Sequence, residues 1–247
     1  MPPAPGHEPL ARAPRKPQPT HRGRGCHWRT PLNIVPIHHP AEDTLLRHAA
    51  DRLPPGHALA VATHLRFCPD CRAAVRVGEA AGGLLLADMP ETALTPNALD
   101  RTLARLDAPA VELNPAPSAW IQGIPLPAAL HGLANPRWRW LAPGIARMVV
   151  NVPGASRQAR TWLLRVAPGQ ALPSHGHSGW EATCVLSGRF TDRTGTYGPG
   201  DVAEMDEDGR HKPVADPGEP CVCLIAWEGP LRIRGLLARL IQPLMGI

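Results

Sequence analysis

The chain has 247 residues, 43% of them hydrophobic and 19% charged, which is the composition of a soluble folded protein rather than of a disordered one. No apolar stretch approaches the roughly 20 residues that span a bilayer, and the N-terminus lacks the apolar core of a signal peptide, so we expect a cytoplasmic protein with no membrane partner. The net charge of +5 belongs to residues 1–30, and the rest of the chain is neutral, which argues against nucleic acid as a direct partner.

The sequence begins with a tail, and a region with a helical pattern follows it. Residues 1–34 are rich in proline and arginine without a hydrophobic period, so we expect them to be disordered. Over residues 35–107, apolar side chains recur at helical spacing in four stretches that prolines and glycines separate. The fourth stretch follows Asn97 and places three leucines on one face: Leu99, Leu103 and Leu106. This pattern predicts an all-α domain.

A proline- and alanine-rich linker, residues 108–118, separates this region from one of a different texture. From residue 119 to residue 247, short β-type runs alternate with glycine turns, and the runs are 146–152, 161–166, 182–186 and 221–227. They predict an antiparallel sandwich or small barrel. The end of the chain, residues 231–247, has the spacing of a short amphipathic helix. The predicted fold is therefore two-domain, an all-α part followed by an all-β part.

A first metal-binding pattern, H-x3-C-x2-C, is formed by His64, Cys68 and Cys71. His64 and Cys68 are four residues apart and share one face of the second predicted helix. Pro69 is suited to open the next helix, which brings Cys71 round to the same point. A structural zinc site needs a fourth ligand, and the histidine pair at 38–39 is the best supply. A redox pair is the alternative for C-x-x-C alone, but the nearby histidines favour zinc.

The helical region resembles the zinc-containing anti-sigma domain of the ChrR type. In that family one histidine precedes the first helix, and an H-x3-C-x2-C motif supplies the other three zinc ligands. The resemblance covers roughly residues 36–107 and includes NALDRTLARLD, which is similar to the family's last helix, part of the bundle that packs against the sigma factor. It implies that His39 is the fourth zinc ligand and that His38 is a solvated neighbour.

A second metal-binding pattern lies in the β-type region and matches the first cupin motif at every spaced position. Gly169 is followed after five residues by His175 and His177, after three more by Glu181, and after six more by Gly188. Alternate side chains of a strand share a face, so the two histidines point together into the predicted barrel. Glu181 reaches the same point from the stretch that follows.

His211 is the predicted fourth ligand of this second site. It lies eleven residues after Gly200, the offset of the histidine in the second cupin motif, although Asp206 and Asp208 replace the usual Pro and Gly. Three imidazoles and a carboxylate suit zinc, manganese, iron, nickel or copper without choosing among them. ChrR-type proteins also carry a C-terminal cupin with this ligand set on zinc. The resemblance thus implies zinc here, in a jelly-roll cupin over residues 119–247.

The other cysteines and histidines have less distinctive settings. Cys184, Cys221 and Cys223 lie in apolar runs and are predicted to be buried core side chains. Three histidines have no partner at ligand spacing, so we expect structural or solvent roles for them: His48, His57 and His131.

The resemblance implies an anti-sigma factor that binds and inhibits an extracytoplasmic-function (ECF) type sigma factor through residues 35–107. It also implies that the cupin senses an oxidative signal, singlet oxygen or a related oxidant, and releases the sigma factor. A small molecule is a further candidate ligand of the cupin. The alternative from another class is a metal-dependent cupin enzyme, such as a dioxygenase or isomerase, with a structural zinc module. DNA binding through the zinc module is disfavoured because the folded body carries no net charge.

Overall fold

The computed structural model describes residues 35–106, 137–207 and 209–233, the short stretches 120–121 and 124–125, and residue 130. The predicted tail 1–34, the linker 108–118 and residues 234–247 of the predicted C-terminal helix lie outside these described residues. None of the described helices has the length and apolar character needed to cross a membrane.

Four helices come first in the chain, as predicted. They are α1 (Glu42–Ala49), α2 (Pro55–His64), α3 (Pro69–Ala87) and α4 (Ala98–Leu106). Proline occupies the first position of α2 and of α3, where its fixed φ suits the helix and its missing N–H costs no hydrogen bond. Helix α3 continues through the glycine pair at 82–83, since glycine weakens a helix by only about 1 kcal/mol without breaking it.

The strands follow and pair antiparallel throughout. They are β1 (Trp120–Ile121), β2 (Ile124–Pro125), β3 (Arg139–Ala142), β4 (Ile145–Val149), β5 (Arg160–Val166), β6 (His175–His177), β7 (Glu181–Ser187), β8 (Phe190–Thr191), β9 (Thr196–Tyr197), β10 (Val202–Met205), β11 (Arg210–His211), β12 (Val214–Ala215), β13 (Cys221–Trp227) and β14 (Leu231–Ile233). All four predicted β-type runs coincide with strands.

The strands form separate sheets, and this corrects the predicted barrel. Within the described residues there is a six-stranded sheet in the order β10-β7-β13-β5-β4-β3, two three-stranded sheets, β11-β6-β14 and β12-β8-β9, and the β1-β2 pair. The jelly-roll strands are therefore split between open sheets, since the hydrogen-bonded ladders do not close on one another. Residues 231–233 are also a strand rather than the start of a helix, because they pair with β6 along its free edge.

Helix α2 packs against the six-stranded sheet. Leu59 and Ala60 of this helix share a buried cluster with Leu163 of β5 and Leu224 of β13. Gly56 lies so close to Thr161 that a Cβ at position 56 would collide with the Thr161 hydroxyl. The helical and β-rich parts therefore share a hydrophobic core, and the central strands are buried on both faces, which explains their continuous apolar runs.

Helices α3 and α4 leave much of their apolar surface uncovered. Only Cys71 and Val75 of α3 are buried, and α4 buries none of its residues among the described parts of the chain. Seven large apolar side chains of α3, of α4 and of the segment between them have exposed fractions between 47% and 76%: Leu84, Leu85, Leu86, Met89, Leu99, Leu103 and Leu106. We refer to these seven side chains as the α3–α4 apolar surface.

Candidate metal centres

The first predicted ligand set converges at one end of the helical part. His39 precedes α1, His64 ends α2, and Cys68 and Cys71 begin α3, and one ligand atom from each lies within 4.8 Å of all the others. His39 Nδ1 lies 3.4 Å from the sulfur of Cys68 and 3.4 Å from that of Cys71. The structure thus brings together all four residues, including His39 rather than His38.

The start of α3 explains how the two thiols meet. Cys68 is the N-cap of this helix, and its sulfur accepts a hydrogen bond from the backbone N–H of Cys71 at 3.4 Å. An N-cap side chain bonds to the third residue of its helix, so the C-P-x-C spacing turns both sulfurs to the same side. The local sequence therefore presents a thiol pair before any tertiary contact forms.

The separation of the donor atoms suits a tetrahedral metal. Zinc bonds of about 2.3 Å to sulfur and about 2.0 Å to nitrogen imply separations of about 3.3–3.8 Å between ligands, which the observed 3.4 Å matches. His64 Nδ1 lies 2.6 Å from the carbonyl of Gly200, and a carbonyl only accepts, so Nδ1 carries the proton. His64 Nε2 is therefore an unprotonated acceptor, buried without a hydrogen-bond partner in the described part of the chain. A metal ion would satisfy it.

Protonation of this site depends on burial. Burial lowers the pKa of His64, so its imidazole is neutral and suited to a metal. Burial and the neighbouring thiol of Cys68 raise the pKa of Cys71 to about 12. A metal binding here must therefore displace thiol protons.

The second predicted ligand set converges between the sheets. His175 and His177 are alternate residues of the buried strand β6, Glu181 begins β7, and His211 lies directly opposite His175 in the β11–β6 pairing. One ligand atom from each lies within 4.8 Å of the others. His177 Nε2 is 2.5 Å from a Glu181 carboxylate oxygen, and His211 Nε2 is 2.9 Å from His175 Nε2.

The tautomers of the histidines at this site favour the binding of a cation. His175 Nδ1 donates to the Pro173 carbonyl at 2.8 Å, and His211 Nδ1 lies 3.1 Å from the Asp192 carboxylate, which also only accepts. Both Nε2 atoms are then unprotonated in the neutral rings, and their lone pairs face each other. Two nitrogens about 2.1 Å from one metal at a right angle would be about 3.0 Å apart, close to the observed separation.

The charges at the second site are also those that metal binding requires. Burial lowers the pKa of His175 to about 4, against the opposing attraction of Glu181, so this ring is neutral. Burial would raise the pKa of Glu181, but the hydrogen bond from His177 and the charges of the surrounding histidines bring it down to about 2. The site thus offers a neutral imidazole at His175 and an ionised carboxylate at Glu181.

A cavity of about 160 Å³ adjoins the second site. Its walls come from the six-stranded sheet and from the small sheets opposite, and most are apolar, including Trp162, Phe190, Met205 and Trp227. An engineered cavity of about 150 Å³ binds benzene, so this one has room for a small apolar molecule beside the histidines.

Several residues around the two centres were not predicted. The Asp192 carboxylate contacts His211 Nδ1, the ring nitrogen that does not face the other ligands, in the manner of the carboxylates that orient metal-binding histidines. His38 is partly solvated, with a side chain 34% exposed, but its ring also packs on Tyr197 and its Nδ1 lies 3.4 Å from the Asp201 carboxylate. Asp192 and Asp201 lie in loops far from these histidines in the sequence, so no spacing motif points to them.

The three cysteines predicted to be buried and one of the less distinctive histidines have the predicted settings, while His131 lies outside the described residues. Cys184, Cys221 and Cys223 are buried, and the last two have their sulfurs 3.5 Å apart. His57 has a structural role, since it stacks on Trp180 at 4.2 Å and bonds the Trp180 carbonyl.

Comparison with known proteins matches this arrangement to one family. The ChrR cupin-like domain matches residues 128–231. The chain is 37% identical over 213 residues to the anti-sigma-E factor ChrR of Cereibacter sphaeroides, covering 85% of this chain and 98% of that protein. It is also similar to a chain in the crystal structure of Rhodobacter sphaeroides SigE in complex with the anti-sigma ChrR, with a TM-score of 0.64, 35% identity, and coverage of 78% of this chain and 99% of that chain. With this identity along most of its length, the chain belongs to the ChrR family of anti-sigma factors.

Proposed function

We propose that this chain binds an ECF-type sigma factor through its N-terminal helices and holds it inactive. The observation that carries the proposal is the α3–α4 apolar surface, which includes three leucines of α4, a helix with no buried residue among the described parts of the chain. Soluble proteins rarely expose contiguous apolar patches of this kind without a partner. The similar ChrR chain was crystallised with SigE, which supports a sigma factor as that partner.

The test is a double substitution on α4, Leu99→Glu with Leu103→Glu, in the full chain. Both leucines are exposed and four residues apart, so the change places two charges in the proposed contact without disturbing a core. We expect binding of an ECF-type sigma factor from the same organism to weaken by at least about 2 kcal/mol, the scale of an interface hot spot. Calorimetric titration of the purified proteins would measure the loss.

Ala104→Glu is the matched control for this substitution. Residue 104 is exposed on the same helix but turned away from Leu99 and Leu103, and the change also introduces a glutamate. We expect it to bind as the wild type does. Equal binding by the wild type and the double variant would overturn the proposed surface.

For the first centre we propose a structural zinc ion held by His39, His64, Cys68 and Cys71. Two thiolates and two imidazoles in tetrahedral spacing form a donor set that zinc prefers. For the second centre we propose a divalent metal, zinc first and manganese, iron or nickel as alternatives, held by His175, His177, Glu181 and His211. The facing lone pairs of His175 and His211 support a cation there.

We further propose that the β-rich part, residues 119–247, is the sensor and that residues 35–107 are the inhibitor, joined by the linker 108–118. The cavity beside the second centre supports a site where an oxidant such as singlet oxygen, or a small molecule derived from it, changes the metal environment. A sigma factor acts on RNA polymerase, so we propose the cytoplasm as the location. An anti-sigma factor is a regulator, and this disfavours the alternative of a cupin enzyme.

A further inference from the structure

The segment that carries His39 is held in place by a buried carboxylate of the β-rich part. Asp201 is only 4% exposed and lies just before β10. Its Oδ1 accepts from the backbone N–H of Ile37 at 2.6 Å and of His38 at 3.0 Å. The backbone N–H of Val202 donates in turn to the His38 carbonyl at 3.1 Å. The chain immediately before His39 is thus fixed by three hydrogen bonds from a site more than 160 residues away.

The same loop orients a second ligand of the first centre. The Gly200 carbonyl, next to Asp201, accepts from His64 Nδ1 at 2.6 Å and so directs the unprotonated Nε2 toward the thiols. Gly200 has a φ of +89°, and a Cβ there would lie 2.9 Å from side-chain atoms of Phe67 and Pro36. Glycine is therefore required for the loop to approach the helices this closely.

A second carboxylate, on strand β10, holds the start of the helix that follows His39. Ala41 is the N-cap of α1 and has no side-chain acceptor of its own. Glu204 of β10 holds the start of this helix instead, since its carboxylate accepts from the N–H of Ala41 itself and from the Thr44 hydroxyl, each at 2.8 Å. Asp201 and Glu204 thus hold the chain by hydrogen bonds on both sides of His39.

We propose that Asp201 and Glu204 are positioning residues of the first metal centre, so that the β-rich part sets the metal affinity of a site whose ligands all belong to the helical part. This inference rests on the proposed metal site at His39, His64, Cys68 and Cys71. Its physical basis is that a ligand held rigidly before the metal arrives loses less conformational freedom on binding. Outer partners of metal-binding histidines typically contribute a factor of about 10–100 in affinity.

The experiment is a cobalt(II) titration of the full chain, followed by the absorption that a thiolate–cobalt bond produces. Only the first centre contains cysteines, so this absorption reports that centre alone even when the second also fills. We expect Asp201→Ala to weaken cobalt binding at the first centre by about 10- to 100-fold. Asp201→Asn keeps a carbonyl oxygen for the Ile37 and His38 amides but places an NH2 group where Asp201 accepts from the Gly198 N–H, so we expect it to retain part of the affinity.

Asp192→Ala is the matched control, because it removes another carboxylate of the β-rich part that holds a histidine of the second centre. We expect it to leave the thiolate–cobalt affinity unchanged. Leu59→Ala separates positioning from general destabilisation, since Leu59 lies in the shared core and touches neither carboxylate's hydrogen bonds. A loss of affinity with Leu59→Ala equal to that with Asp201→Ala would overturn the inference.

Glu204→Ala is the second test if Asp201→Ala does not fold. Glu204 is only partly buried, so its loss should disturb folding less. We expect it to weaken cobalt binding in the same direction by a smaller factor. If Asp201→Ala folds and binds cobalt as tightly as the wild type, the inference is overturned. If Asp201→Ala does not fold, unchanged cobalt affinity in Glu204→Ala overturns it. Neither result would contradict the metal site itself. The absence of any thiolate–cobalt absorption in the wild type would instead overturn the metal site itself.

Discussion

Three histidines of the two centres share one arrangement at the scale of single residues. His64, His175 and His211 each commit Nδ1 to an acceptor, which is a backbone carbonyl for the first two and the Asp192 carboxylate for the third. Each ring therefore turns an unprotonated Nε2 toward its cluster. A buried acceptor without a donor is costly, by about 1–3 kcal/mol, so these rings are most stable with a cation between them.

The two centres should lose their metals independently. We expect the wild type to bind about two metal ions per chain, Cys68→Ser to lose one and Glu181→Ala to lose the other, because the two ligand sets share no residue. Cys68→Ser should also lower the melting temperature, since a structural metal contributes directly to folding. Metal content by mass spectrometry and thermal melting by circular dichroism would measure both effects.

Cys184→Ser is the control for the loss of a buried thiol, because Cys184 is fully buried and belongs to neither cluster. It should retain both metals. A first centre that keeps its metal after the loss of both Cys68 and Cys71 would contradict the assignment.

At the scale of elements, α2 is the part that joins the helices to the sheet. It is buried on nearly every side: Leu59 and Ala60 pack on the sheet, and Val61 packs with α1 and α3. A helix that is apolar all round belongs inside a protein rather than on its surface. The helical part therefore depends on the sheet for the burial of this element.

Leu59→Ala should destabilise the whole described body in one cooperative step. We expect a loss of about 2–5 kcal/mol in the free energy of unfolding, the range for a buried leucine that leaves a cavity. The matched substitution Leu85→Ala, on an exposed position of α3, should change it by less than about 0.5 kcal/mol. Urea unfolding followed by circular dichroism and by tryptophan fluorescence would measure both, and separate transitions for helices and sheet would contradict a shared core.

At the scale of the whole molecule, β10 connects the two centres. Its last residue, Met205, pairs with Glu181 and lines the cavity, while Glu204 and the preceding Asp201 hold the segment around His39. The residues from Asp201 to Met205 therefore contact both the strand that begins with Glu181 and the segment that carries His39.

Glu181→Ala should leave inhibition of the sigma factor intact and blunt its release. The substitution removes a ligand of the second centre without touching the α3–α4 apolar surface, so we expect low basal expression from a sigma-dependent reporter and a reduced response to singlet oxygen. The Leu99→Glu, Leu103→Glu variant serves as the reference for full release without oxidant. Full induction of the Glu181→Ala variant would remove the second centre from the signalling path.

The sequence by itself predicted both candidate ligand sets, apart from the choice between His38 and His39, which the family resemblance supplied, and most of the elements that carry them. The spacing from His64 to Cys71 covers a helix end and the next helix start, and the spacing from His175 to Glu181 covers a strand and a turn. Over such short distances the geometry of helices and strands dictates which side chains meet. The four helices and the four longest β-type runs were predictable for the same reason, since each has its own hydrophobic period or apolar run.

Only the tertiary structure decided how the helical part packs on the β-rich part and which residues hydrogen-bond to the predicted metal ligands. The contacts of Asp201 with His38 and of Gly200 with His64 join residues 163 and 136 positions apart, and Asp192 reaches His211 across 19. No sequence period relates such pairs, because their separation depends on how the chain folds back on itself. The open sheets and the burial of α2 follow from the same cause: a strand or helix buried on both sides shows the same apolar run whichever neighbours cover it.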